Sequence, residues 1–165
     1  MKIKLSGVII TFNEEEKIGQ CIDSLYKVCD EILVVDSFST DKTKEICEQK
    51  GATFITNKFY GHIQQKNFAK SKAQFNHIIS LDADELLDEK AQKSILKLKE
   101  NWDGKGYYFN RLNNYCGKWI KYGSWYPDIK LRLWDRRAGE WGGINPHDQF
   151  IIKELGEKII LDGYI

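Results

Sequence analysis

Four short apolar runs, each with a polar residue at or just past its end and each followed by a helical pattern, constrain this chain most. They are Gly7-Val8-Ile9-Ile10-Thr11-Phe12, Glu31-Ile32-Leu33-Val34-Val35-Asp36, Ala52 to Thr56, and Asn76 to Leu81. After the first, Ile18, Cys21, Ile22, Leu25 and Val28 recur at helical spacing, and Asn13 and Glu16 have the spacing of a capping box. After the second, Ser37 to Thr40 read as a turn. A helix from Asp41 to Lys50 follows, with Ile46 and Cys47 inward and Gly51 as its stop. Residues 62–74 form a weaker helical pattern, and Asp88 is placed to cap a helix running to about Glu100. Runs that are apolar at consecutive positions, not alternate ones, are buried on both sides. Strands of that kind, alternating with helices, predict an α/β fold with a mainly parallel sheet covered on both faces.

Ligands of such sheets sit beyond the carboxyl ends of the strands. Thr11 and Asn13, Asp36 and Ser37, and Asp82 and Asp84 all fall there, so they are expected to share one edge and one cleft. The last pair follows Ile78-Ile79-Ser80-Leu81 directly. Unpaired charges are too costly to bury, so these carboxylates belong at the mouth of the strand and not in the core. Two oxygen donors at this spacing suit a hard cation, Mg2+ or Mn2+, whose other ligands come from water and a substrate diphosphate. The plainer alternative for Asp-x-Asp alone is a solvated loop opening the next helix. No Gly-x-Gly-x-x-Gly follows the first strand, and no Walker sequence is present, which argues against a dinucleotide site or a P-loop.

Composition sets the outer bounds. A chain of 165 residues with 42% hydrophobic and 30% charged residues is long enough for one domain with a true core. Its net charge of +1 gives no global field that points to nucleic acid. No stretch approaches about 18 apolar residues, and the N-terminus enters a strand without a signal-peptide core. The four cysteines show no Cys-x-x-Cys spacing, and Cys21 and Cys47 lie on apolar helical faces, so reduced core thiols and a cytoplasmic location are expected.

Residues 101–148 differ in character. All five tryptophans lie here with five tyrosines, interleaved with Arg111, Lys118, Lys121, Lys130, Arg132, Arg136 and Arg137. The pattern Ile129-Lys130-Leu131-Arg132-Leu133-Trp134 has β periodicity. Aromatic faces stack on sugar C–H faces, and basic groups suit phosphates or anionic head groups; packing of a small mixed sheet is the alternative for any one ring. The chain is therefore divided into residues 1–100, which carry the carboxyl-edge cleft, and residues 101–165, read as an acceptor-binding half. It ends at Lys158-Ile159-Ile160-Leu161-Asp162-Gly163-Tyr164-Ile165, in or just after a strand, and is read as truncated there.

The motifs Val8-Ile9-Ile10-Thr11-Phe12-Asn13-Glu14, Glu31 to Ser37 with Ser39-Thr40-Asp41, Gln65-Lys66-Asn67-Phe68-Ala69, and Ser80-Leu81-Asp82-Ala83-Asp84-Glu85 together resemble a family 2 glycosyltransferase of the GT-A fold. Trp125-Tyr126-Pro127-Asp128, Leu131-Arg132-Leu133 and Pro146-His147-Asp148 resemble the bacterial lipopolysaccharide-core β-glucosyltransferase-like branch. Members of that branch continue further, into a helical tail.

The resemblance implies inverting transfer of a sugar from a nucleotide-diphospho-sugar, with UDP as the favoured nucleotide. The acceptor would be a hydroxyl of a cell-envelope glycan or glycolipid, met at the cytoplasmic face of the inner membrane. It implies that Thr11, Asn13 and Asp36 hold the nucleoside, that Lys66 and Asn67 lie near the donor pocket, and that Asp82 and Asp84 form the metal motif. Asp84 is the direct ligand, and Asp82 contacts ribose or a metal-bound water. Asp148 occupies the position of the general base, as an aspartate where the branch has a glutamate; Asp128 and Glu140 are rivals. A carboxylate such as Asp36 suits the imide N–H of uracil or thymine. His62 and His77 read as structural, and His147 stays open between ligand and structural roles. Two other classes remain: a sugar-phosphate nucleotidyltransferase, which lacks its Gly-rich loop here, and a catalytically inactive nucleotide-sugar-binding module, against which the intact carboxylate pair argues.

Overall fold

The computed structural model describes residues 2–145, 147–154 and 156–165. Its first part alternates strand and helix: β1 (Leu5–Thr11), α1 (Ile18–Tyr26), β2 (Glu31–Asp36), α2 (Thr43–Gln49), β3 (Thr53–Thr56), α3 (His62–Lys72), β4 (His77–Asp82) and α4 (Glu89–Glu100). Strands follow: β5 (Gly106–Arg111), β6 (Asn114–Tyr115), β7 (Lys118–Trp119), β8 (Asp128–Asp135), β9 (Gly139–Ile144), β10 (His147–Ile152) and β11 (Ile159–Tyr164). A 3-10 turn at Gly123–Trp125 lies between β7 and β8.

Seven strands make one sheet in the order β11-β5-β8-β4-β1-β2-β3. β1 pairs parallel with β2 and β4, β2 with β3, and β5 with β11, whereas β8 runs antiparallel between β4 and β5. The strands after residue 100 thus extend the same sheet and do not build one of their own. The smaller β part consists of two ribbons, β9–β10 and β6–β7.

The pleat explains the apolar runs. Leu5, Ile9, Val34, Ile79 and Leu81 face a core with Ile18, Cys21, Ile22 and Leu25 of α1, Cys47 of α2 and Ile95 of α4. Val8, Leu33, Val35 and Ile78 face the other way, against Ala69 of α3 and the aromatic cluster Trp134, Trp141 and Phe150. Successive residues of each inner strand therefore enter different layers. Each large aliphatic side chain so buried contributes about 1.5–3 kcal/mol. Trp134 stacks on Phe150 with centroids 4.2 Å apart and meets Trp141 edge-on at 5.4 Å. These rings pack the molecule; Trp119 and Trp125 do not, and stay exposed. Cys21 and Cys47 are buried, all four thiols are free, and burial pushes the Cys47 thiol up to about 12.

One expected cap does not form. Asn13 adopts a φ of 53°, its side chain accepts from the Thr40 N–H at 2.8 Å, and its own N–H donates to Ser39 Oγ at 2.8 Å. α1 starts only at Ile18, with no side-chain cap at Lys17. Asparagine tolerates the left-handed region and favours turn contacts, so the neighbouring loop outcompeted the helix for its side chain. Further bonds join the same two loops: Glu14 N–H to Thr43 Oγ1, Glu15 N–H to Asp41 Oδ2, and Lys42 N–H to Glu15 Oε2. Residues 13–15 and 39–43 form one stitched edge beside the carboxyl ends of β1 and β2. The cap expected at α4 does form, with Asp88 Oδ1 accepting from the Ala91 N–H at 2.7 Å. Asp88→Ala should lower stability by about 1 kcal/mol, read as a shifted urea midpoint with an unchanged slope.

Candidate functional site

The carboxyl ends of β1, β2 and β4 border a cleft of about 500 Å³ that includes Thr11, Ser37, Phe59, Asp82 and Asp84 in its lining. Thr11 is the last residue of β1. Its Oγ1 is buried and has no hydrogen-bond partner among the described residues. Such a hydroxyl is costly unless a ligand or water completes it. Asp36, at the matching end of β2, is buried and turned into its own loop: both its oxygens accept from Ser39, one from the N–H at 2.8 Å and the other from the hydroxyl. It does not line the cleft. Asn13 stands on the stitched edge beside it. His62, read from the sequence as structural, lines the cleft and meets Phe59 edge-on at 5.1 Å. His77 packs against Trp102, and His147 is exposed.

Two cations from opposite sides hold Asp82. Its Oδ1 lies 3.1 Å from Lys66 Nζ of α3, and its Oδ2 lies 3.1 Å from Arg132 Nη2 of β8. Burial pulls the Asp82 carboxyl upward, but the Arg132 guanidinium and the Lys66 ammonium outweigh it, and the group sits below the ordinary carboxylate range. Arg132 is itself buried and forks onto Glu85, with Nη2 2.6 Å from Oε1 and Nε 3.0 Å from Oε2. Glu85 Oε2 also accepts from the Asp82 N–H at 3.1 Å. Arg111 reaches Glu85 at 3.6 Å and Asp128 at 2.7 Å, and Lys130 meets Asp128 at 3.0 Å. Every acid of this chain of charges has a cation beside it, as buried charge requires.

Asp84 is different. It is exposed and makes no hydrogen bond or ion pair among the described residues. No group of three or more His, Cys, Asp or Glu able to hold a metal occurs among those residues. The donor set is therefore two aspartates, of which Asp82 is already engaged on both oxygens. It fits a hard cation that takes few protein ligands and completes its shell with water and phosphate oxygens. Of the pair, Asp84 is the one whose oxygens are free of a protein partner among the described residues.

The second half reaches the site through α3. Lys66 is almost fully buried, not solvated. Its ammonium contacts Asp148 Oδ2 at 2.9 Å as well as Asp82, and lies 4.5 Å from the Trp141 ring centre. Asn67 grips the Trp141 backbone in both directions, donating to its carbonyl at 2.9 Å and accepting from its N–H at 3.0 Å. Asn145 Oδ1 accepts from the Ile63 N–H at 3.0 Å and so closes the uncapped start of α3. These contacts seat the β9–β10 ribbon on α3 and bring Asp148 to the same ammonium as Asp82. Pro146 of the Pro146-His147-Asp148 motif lies outside the described residues. Of the rivals, Asp128 is clamped by Arg111 and Lys130, and Glu140 is exposed on β9.

Arg132, Glu85 and Arg111 were not among the site residues expected from the sequence. A signal was available: an arginine at the centre of Lys130-Leu131-Arg132-Leu133-Trp134 stands in a strand that is otherwise apolar at its end and must find a buried acid. Arg132→Met should lower stability by about 3 kcal/mol or more, since it takes the forked guanidinium from buried Glu85 and leaves it only the longer Arg111 contact. The double variant Arg132→Met with Glu85→Gln should recover part of that loss in urea unfolding. Because cations keep Asp82 charged below its ordinary range, the stability it contributes is present above about pH 4 and is lost as pH falls through its lowered value.

The sheet, its flanking helices and the carboxylate pair at the end of β4 define a GT-A glycosyltransferase fold. The profile of glycosyl transferase family 2 matches residues 6–158, and the chain belongs to that family. It is 44% identical over 92 residues to an uncharacterised glycosyltransferase of Rickettsia felis, covering 56% of this chain and 32% of that protein. It is 38% identical over 100 residues to the lipopolysaccharide core biosynthesis glycosyltransferase LpsC of Rhizobium meliloti, covering 58% and 36%. The matched stretch thus spans about a third of the length of these relatives. Among solved structures, Staphylococcus aureus TarS in complex with UDP-GlcNAc superposes with a TM-score of 0.54 at 22% identity, over 72% of this chain and 37% of that one. Glucosyl-3-phosphoglycerate synthase of Mycobacterium tuberculosis, bound to Mn2+, UDP and glucosyl-3-phosphoglycerate, gives 0.52 at 19% identity, over 66% and 43%.

Proposed function

We propose that this chain is the catalytic core of an inverting glycosyltransferase that moves a sugar from a UDP-sugar to a hydroxyl of a cell-envelope glycan, such as lipopolysaccharide core. One observation carries the reading: a single cleft joins the unpartnered Thr11 hydroxyl to the exposed Asp84 carboxylate. A nucleoside would satisfy the first, and a diphosphate with its counter-ion the second. The name of the Rhizobium relative supports the acceptor class, and the nucleotides bound in the structural neighbours support the donor class.

Roles follow from position. Thr11 meets the nucleoside from the cleft wall and Asn13 from the stitched edge; Asp36, buried on Ser39 outside that lining, reaches the base only when its loop turns toward the cleft. A carboxylate has about four acceptor sites, so Asp36 can serve both Ser39 and a uracil imide. Asp84 would hold Mg2+ or Mn2+, with Asp82 behind it, and such an ion would supply charge stabilisation to a departing diphosphate. Lys66 is shared between Asp82 and Asp148, and an incoming diphosphate competes for it. Drawing Lys66 towards the phosphates releases Asp148, which takes the acceptor hydroxyl proton. The acceptor oxygen bonds to the anomeric carbon as the bond from that carbon to the diphosphate breaks. Residues 101–165 supply the acceptor side. The work takes place at the cytoplasmic face of the inner membrane, and no helix among the described residues is long and apolar enough to cross it.

Asp84→Asn should abolish transfer and remove the manganese dependence of UDP binding in calorimetry, with the thermal midpoint nearly unchanged. Wild-type turnover of this variant under chelator control would refute the metal role. Asp148→Asn should bind UDP as the parent does, yet turn over about a hundredfold or more slowly, within the range of general-base catalysis.

A further inference from the structure

Residues 112–127 leave the sheet at the end of β5 and return at the start of β8. Because β8 is antiparallel to β4, with His77 opposite Asp135, its first residues stand at the carboxyl end of β4. The segment therefore projects from the rim of the cleft. The Arg111–Asp128 pair at 2.7 Å closes its base.

The segment carries Lys118 and Lys121 and not one Asp or Glu. β6 and β7 pair Asn114 with Trp119 and Tyr115 with Lys118, so Tyr115 and Trp119 stand on opposite faces of the ribbon. Neither face is covered: Tyr115 is 62% exposed and Trp119 59%. Tyr122 and Trp125 follow at 71% and 51%. Cys116 and Gly117, with φ of 49° and 78°, make a tight two-residue tip. Tyr115 meets Trp125 edge-on at 5.9 Å and ties the hairpin to the 3-10 turn.

Large rings with polar tips suit the boundary between water and lipid, where tryptophan and tyrosine collect at head-group depth. Lysines beside them are drawn to anionic lipid. Rings that stack a sugar would converge on one pocket; these are spread over both faces of a projecting arm. We infer that the arm 112–127 docks on an anionic bilayer surface and so presents the cleft to an acceptor held there. The benefit to transfer rests on the function proposed above; the docking itself does not.

The test is sedimentation of the full-length protein with phosphatidylcholine vesicles, with and without phosphatidylglycerol. Binding is expected only with the anionic lipid and should weaken at high salt. Lys118→Gln with Lys121→Gln should weaken it roughly thirtyfold, and Trp119→Ala with Tyr122→Ala should weaken it as well, both with unchanged circular dichroism and UDP affinity. Lys90→Gln with Lys93→Gln, on α4, should bind as the parent does. Equal binding by the parent and the arm variants would overturn the inference, as would loss confined to the α4 variant. So would arm variants that bind vesicles normally but raise KM for a soluble glycan acceptor. If UDP does not bind at all while vesicle binding still follows the arm, the proposed function fails and the docking surface stands.

Discussion

Asp82 lies between two buried cations that come from different parts of the chain, and the architecture of the site depends on that arrangement. Lys66 arrives from a helix on one face of the sheet, and Arg132 from the antiparallel strand beside β4. Neither cation is tolerable where it sits without its acids, and neither acid without its cations. The network therefore docks three elements at once: the end of β4, the buried face of α3, and β8. It leaves Asp84, two residues further along the chain, as a carboxylate that faces the cleft with no cation beside it among the described residues.

A consequence is that the site is loaded before any donor arrives. Lys66 bridges Asp82 and Asp148, so the residue proposed to meet the diphosphate also restrains the residue proposed as base. On that proposal, donor binding and base release would be one exchange of ion partners. The Asn67–Trp141 clamp makes this workable, since it fixes the ribbon that carries Asp148 to the helix that carries Lys66.

Much of the sheet was legible because its signal is local. Consecutive apolar residues in 8–10 and 32–35 require two covered faces, and the polar residues that end those runs mark the ligand edge. Thr11, Asp82 and Asp84 meet at one cleft for that reason. The contacts that were not legible are long-range. Asn13 looked like a helix cap because a cap is the local use of such a residue, but Ser39 and Thr40 stood closer. Arg132 is some fifty positions from Glu85, and Lys66 is 82 positions from Asp148; no periodicity connects such pairs. The burial of Asp36 against Ser39 was also a matter of turn geometry that spacing does not report.

The most direct test of the account is a crystal structure of the full-length protein with UDP and Mn2+. Anomalous scattering at the manganese edge should place the ion on an Asp84 carboxylate oxygen, with UDP in the cleft beside Thr11. Manganese bound away from Asp84, or UDP seated outside this cleft, would contradict it.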